Sequence, residues 1–254
     1  MQSIRLHIVR PLKMCFRVFI FLGGNMKISE YIKSFTEFEK GLWLVSVLVI
    51  TVSFFASGGG DYLSLTASLI GVTSLIFIAR GYVFGQVLMV VFSVFYGIIS
   101  LFFSYYGEMI TYLGMTAPMA VMSIVSWVKH PYKKTKEVEI AKVTKGQILL
   151  MLLLTAAVTA VFYFVLKALG NASIVLSTIS VTTSFIAAYL TFLRSEFYAL
   201  GYAANDVVLI ALWIIAALSD ISCLPMVFCF VMFLFNDLYG FYSWRKMRKR
   251  QTAS

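Results

Sequence analysis

Two asparagine–aspartate pairs, Asn205-Asp206 and Asn236-Asp237, stand in stretches of the chain that are otherwise almost wholly apolar. Amides and carboxylates are costly in hydrocarbon, so within such stretches they face a neighbouring helix, a wet cavity or a ligand. Trp213 follows the first pair by seven or eight residues and Tyr239 follows Asn236 by three, which puts a ring on nearly the same helical face as each amide. Gln86 heads a third polar stripe, Gln86, Ser93 and Ser100, with Tyr96 close by; Ser177, Ser180, Ser184 and Thr191 form another. These groups suit recognition. Amides bond hydroxyls or a carboxamide, and Tyr and Trp rings stack on a flat ring or hold a cationic one. Each position also has a plainer reading. Hydroxyls bond their own helix backbone or pack helices together, the asparagines clamp neighbouring helices, the aspartates sit at helix ends, and Trp127 and Trp244 anchor at a membrane interface.

Reaction chemistry is missing from the motifs. The chain has no GxxxxGK[ST] phosphate loop, no HExxH and no GxSxG turn, so no enzyme and no direct nucleotide drive is expected. Cys15, Cys223 and Cys229 show no CxxC spacing, and His7 and His130 form no ligand cluster, so neither a disulfide framework nor a metal or other cofactor is expected.

The elements that must hold these residues are membrane helices. Of 254 residues, 61% are hydrophobic and 13% charged, about half the charged share of a soluble domain. Apolar runs of roughly 17–25 residues recur, the length that crosses a bilayer as a helix. Barrel strands would alternate over short segments instead. The predicted spans are 42–57, 62–79, 83–103, 109–127, 147–166, 173–193, 203–218 and 224–243. With eight crossings, the seven Lys and Arg of the N-terminal tail, Arg80, the six between spans four and five, Arg194 and the five of the C-terminal tail all fall on one side, leaving Lys167 alone on the other. The positive-inside rule then makes both termini cytoplasmic. The formal net charge of +10 is thus explained by topology, the partner is the lipid bilayer, and no nucleic-acid partner is expected. Asp61, Glu108 and Asp220 are predicted in short connections on the opposite side. Segment 15–22 is too short to span and lacks a signal-peptide cleavage site; it reads as an extension, with Met26 an alternative start.

Two three-helix blocks look related. Thr73-Ser74-Leu75-Ile76 in span two answers Thr183-Ser184-Phe185-Ile186 in span six, Arg80 answers Arg194, and Trp127-Val128-Lys129 answers Trp244-Arg245-Lys246. Three-helix blocks share an orientation only when an odd number of helices separates them, and span five is that separator. The expected organisation is a tail and first span (1–58), a first bundle (59–130), a basic loop and linker helix (131–171) and a second bundle with a basic tail (172–254). A parallel 3+1+3 repeat is a transporter pattern, with substrate near mid-membrane between the halves.

Asn236-Asp237-Leu238-Tyr239-Gly240-Phe241-Tyr242-Ser243-Trp244 resembles the Asn-x-x-Tyr-Gly-x-x-x-Trp signature of the PnuC vitamin transporters, and Pro118 with Trp127 resembles that family's Pro-x8-Trp pattern. The resemblance covers roughly residues 60–250. It implies an all-α, SWEET-like fold with an extra N-terminal helix, and facilitated uptake of nicotinamide riboside across a bacterial inner membrane, with trapping by a cytosolic kinase. It also implies a homo-oligomer, a trimer in many members. Relatives carrying thiamin, riboflavin or deoxynucleosides, and a proton-coupled carrier using Asp206 or Asp237, are the alternatives within transport; a membrane scaffold or receptor is the alternative outside it. The family's Glu-x-Trp-x-x-Trp-x-x-x-Asp/Asn pattern reads Glu196, Tyr198, Gly201 and Asn205 here. The substrate-binding set is therefore Gln86, Tyr96, Tyr198, Tyr202, Asn205, Trp213, Asn236, Tyr239 and Trp244.

Overall fold

The structure is a computed structural model that describes residues 28–59, 62–102, 106–133, 135–171 and 173–253. Segment 15–22, Met26 and Asp61 lie outside the described residues. The described residues up to Gly41 belong to one compact unit and those from Leu42 onward to another. In the first unit, a short helix, Ile28–Lys33, precedes a capping box in which Thr36 and Glu39 bond each other's backbone N–H groups (3.3 and 2.6 Å) and start the next helix.

Among the described residues, eight helices are long and apolar enough to cross a membrane. They are α1 (Glu37–Ala56), α2 (Tyr62–Ala79), α3 (Val83–Phe102), α4 (Tyr106–Lys129), α5 (Lys145–Ala168), α6 (Ile174–Phe192), α7 (Tyr198–Ser219) and α8 (Leu224–Ala253). A helix satisfies its own backbone groups, the condition for lying in hydrocarbon. The predicted all-α membrane fold and its eight spans are what the structure holds. Five helices, α1, α4, α5, α7 and α8, extend beyond their predicted spans because a helix does not stop where apolar residues stop, and α1 begins at Glu37, five residues before the expected 42. α7 begins at Tyr198, five residues before the expected 203, and α8 runs ten residues past 243.

The long end of α8 is held by polar contacts. Arg248 pairs with Glu196 and Arg250 with Glu137, while Gln251 donates to the Val138 carbonyl (3.0 Å) and accepts from the Ile140 N–H (2.9 Å). The same 131–144 loop bonds the α2–α3 turn (Val138 N–H to Gly81 O, 2.9 Å) and the α6–α7 turn (Ala141 N–H to Arg194 O, 3.1 Å). The basic connections and the C-terminal extension therefore share one end of the bundle.

Within α4, residues Tyr112–Thr116 widen to a π turn, with the Ala117 N–H reaching the Tyr112 carbonyl. Pro118 explains it, because proline lacks the N–H of a regular turn and its ring crowds the carbonyl four residues back. Helix α2 packs on α3 and α3 on α4; α6 packs on α7 and α7 on α8; across these triplets, α2 meets α8 and α4 meets α6. The first helix of each triplet thus lies against the last helix of the other. Helix α5 packs on α6 and leaves Leu149, Leu152, Leu153, Val161 and Phe164 exposed. Such an apolar surface suits lipid or a second copy.

Candidate functional site

The amides of the predicted site are buried inside the helix bundle. On α7, the Asn205 carbonyl oxygen accepts from the Ser180 and Thr183 hydroxyls of α6 at 3.1 and 3.0 Å. On α8, the Asn236 amide donates to the Ser46 hydroxyl of α1 (3.0 Å) and to the Met232 carbonyl (2.7 Å). Its own carbonyl oxygen, Oδ1, is buried with no hydrogen-bond partner. One asparagine therefore joins two helices, while the other joins two helices and keeps an acceptor in reserve. Leaving such an acceptor unmet costs about 1–3 kcal/mol, and a ligand donor would remove that cost.

Asp206 and Asp237, each next to one of these asparagines, are buried near each other, and Asp206 Oδ2 has no hydrogen-bond partner. They stand on α7 and α8 at the depth of the amides.

A ring cluster lies about two helical turns further along α7 from Asn205. The Trp213 indole N–H on α7 donates to the Tyr96 hydroxyl on α3 at 2.9 Å, crossing from one triplet to the other. Tyr96 packs against Tyr112 with centroids 4.3 Å apart, and Phe92, Phe230 and Phe233 surround them. A second ring cluster lies nearer the basic end, where Tyr198 meets Trp244 edge-on at 4.7 Å and Tyr202 at 6.3 Å. Gln86 is buried in the first turn of α3. Tyr239 is half-buried beside Tyr242 on α8. Among the polar stripes, Ser93 and Thr191 bond carbonyls of their own helices and Ser180 bonds Asn205 of a neighbouring helix, the two forms of the plainer reading.

Gly201 explains how α7 comes so close to α6. A Cβ built there would lie 2.9 Å from the Ala187 Cα and 3.2 Å from its N, so the helices touch backbone to backbone. A bulky ring has no room at this position. Glu196, in the same pattern, is bound to Arg248.

Sequence reasoning placed Glu108 in a connection, but α4 begins at Tyr106 and Glu108 is 3% exposed, with its Oε2 lacking a hydrogen-bond partner. Tyr112, one turn further along, belongs to no motif; its i+4 spacing from Glu108 was the only available sign. Among the described residues no group of His, Cys, Asp and Glu could hold a metal ion.

The chain was compared with known proteins. The family model described as nicotinamide mononucleotide transporter matches residues 61–246. The nicotinamide riboside transporter PnuC of Neisseria mucosa is 29% identical over 230 residues, covering 88% of this chain and 87% of that protein. Its namesake in Haemophilus influenzae is 23% identical over 232 residues, covering 90% and 98%. The crystal structure of the vitamin B3 transporter PnuC superposes with a TM-score of 0.74 at 26% identity, covering 86% of this chain and 94% of that one.

Proposed function

This chain belongs to the nicotinamide mononucleotide transporter family and is a multi-pass membrane transporter, and on that premise we propose that it carries nicotinamide riboside by facilitated diffusion. The family description names a nucleotide, whereas the named relatives carry the riboside. The observation that decides for the riboside is the sign of the buried charge. Glu108, Asp206 and Asp237 are buried in the spans, and no Lys or Arg is buried among the described residues. A phosphate group in a water-poor layer needs a basic partner. A pyridinium riboside is a cation, and the acidic groups and electron-rich rings here suit it.

In this reading Asn205, Asn236 and Gln86 bond the ribose hydroxyls or the carboxamide. Tyr96, Tyr198, Tyr202, Trp213, Tyr239 and Trp244 line or stack on the ring. The two triplets rock about their shared surface to alternate access. The gathering of the basic loops at one end supports a topology with both termini in the cytoplasm of a bacterial inner membrane. The substrate crosses unmodified, and phosphorylation by a cytosolic kinase retains it. The exposed apolar face of α5 supports a homo-oligomer, a trimer by analogy with the family.

Calorimetry on the purified protein with nicotinamide riboside, its mononucleotide, thiamin, riboflavin and deoxynucleosides tests this reading. Heat is expected from the riboside and none from the mononucleotide; heat from the mononucleotide alone overturns the assignment.

The burial of two neighbouring carboxyl groups, Asp206 and Asp237, within the spans favours a second reading, proton-coupled transport. Vesicles that accumulate unmodified substrate under a proton gradient would establish coupling. Loss of accumulation in Asp206→Asn, with binding retained, would identify the carrier.

A further inference from the structure

A cavity of about 250 Å³ opens among the ends of α4, α6, α7 and α8 that lie away from the basic loops, walled by Glu108, Asn171, Ser173, Ser177, Ser219 and Asp220 among others. We propose that it is an entrance site for a small organic monocation, with the Glu108 carboxylate as its anionic contact. The inference rests on the riboside reading only for its natural ligand.

Three observations carry it. First, Glu108 is 97% removed from solvent, yet its Oε2 has no hydrogen-bond partner. A glutamate serving only to balance a helix N-terminus does so from the surface. Second, the rest of the wall supplies neutral polar groups and a second acid. Asn171 donates to Ser177 at 2.8 Å, and Asp220 stands exposed at the rim. Among the described residues no Lys or Arg lines the cavity, so the site repels anions and neutralises a cation. Third, the wall is held in place. Gly107 lies so close to Leu166 of α5 that a Cβ there would sit 2.5 Å from Leu166 Cδ2, which fixes the first turn of α4 and the carboxylate on it.

The site also leads inward. Tyr112 follows Glu108 by one helical turn, and its ring meets Tyr96, which in turn accepts from Trp213. A cation leaving the carboxylate meets ring faces next, and these attract it without trapping it. The cavity is smaller than the ~300–1,000 Å³ of drug-sized sites, so it selects by charge and size before the amide layer reads the substrate.

Binding to purified wild type, Glu108→Gln and Glu108→Asp is measured with three probes: nicotinamide riboside, its uncharged dihydro form, and 1-methylnicotinamide. Glu108→Gln should weaken both cations about tenfold or more, the scale of a lost charge-assisted bond, and change the dihydro form by less than about twofold. Glu108→Asp should keep most of the preference, and melting curves of all three proteins should coincide. Equal losses for charged and uncharged probes, or no loss for either, overturn the entrance site while the riboside reading stands. If wild type ignores the riboside but binds 1-methylnicotinamide through Glu108, the substrate reading fails and the cation site survives. Failure to bind either cation overturns both.

Discussion

The indole rings of Trp127 and Trp244 lie 5.4 Å apart, and each donates its N–H to a backbone carbonyl in the other three-helix block. Trp127 of α4 bonds Thr191 O at the end of α6 (3.0 Å), and Trp244 of α8 bonds Ile78 O at the end of α2 (2.9 Å). Each carbonyl already accepts one turn N–H, from Arg194 at Thr191 (3.0 Å) and from Gly81 at Ile78 (2.8 Å), so each indole fills the second lone pair of a carbonyl at a helix end that belongs to the opposite block. The two rings therefore form a clasp between the blocks beside the basic loops.

Trp244→Phe keeps a ring against Trp127 and Tyr198 but removes the bond to Ile78. It should cost about 1–2 kcal/mol of stability, read as a lower melting temperature in detergent, and Trp127→Phe should match it. Because the rings touch, the double substitution should depart from additivity by about 0.5 kcal/mol or more. Strict additivity would mean that the two clasps act independently.

Gly201→Ala should destabilise by about 1–3 kcal/mol, because its new methyl meets the backbone of Ala187, which cannot rotate away. Gly146→Ala is the matching control: nothing lies within 4 Å of its Cβ position, and the change should be neutral or mildly stabilising. Equal melting temperatures for the two variants would show that α6 and α7 have room to separate.

These glycines mark the boundary of what the sequence discloses. Helix number and the gathering of Arg80, Arg194 and the 131–144 loop at one end were legible, because hydrophobic length and charge placement are local properties. The likeness of Trp127-Val128-Lys129 to Trp244-Arg245-Lys246 was legible too, but not that the two rings touch. Which face a buried residue presents is not local. Asn205 could be read as a clamp or as a ligand contact, and only the approach of α6 shows that its carbonyl is engaged by Ser180 and Thr183. Glu108 read as a loop residue because a charge next to an apolar run marks its end; burial of the first turn of α4 against α5 overrode that signal.

Asn236→Ala should weaken riboside binding about tenfold or more, if its unpartnered oxygen meets a ligand donor. Ser46→Ala removes only the neighbour that orients the amide and should cost about two- to threefold. Calorimetry on both variants separates a ligand contact from a helix clamp: equal losses would assign Asn236 to holding α8 against α1.

Asp220 gives a prediction for pH and salt. Its carboxylate accepts from the Ser222 N–H at 2.9 Å, and this bond holds its pKa below the usual carboxylate range. The folded value being depressed, the ionised form and the turn it stabilises are present above the unfolded value of about 3.9 and are lost only as pH falls through the lower folded value. The rim therefore remains negative at pH 5. Its influence on an arriving cation is long-range and exposed to solvent, so it acts on association and is screened by salt. Asp220→Asn should slow riboside association about two- to threefold at low ionic strength and leave it unchanged at high salt, with the same ratio at pH 5 and pH 7. Stopped-flow binding at two salt concentrations measures this. A defect that persists at high salt would mean that Asp220 contacts the ligand directly instead of steering it.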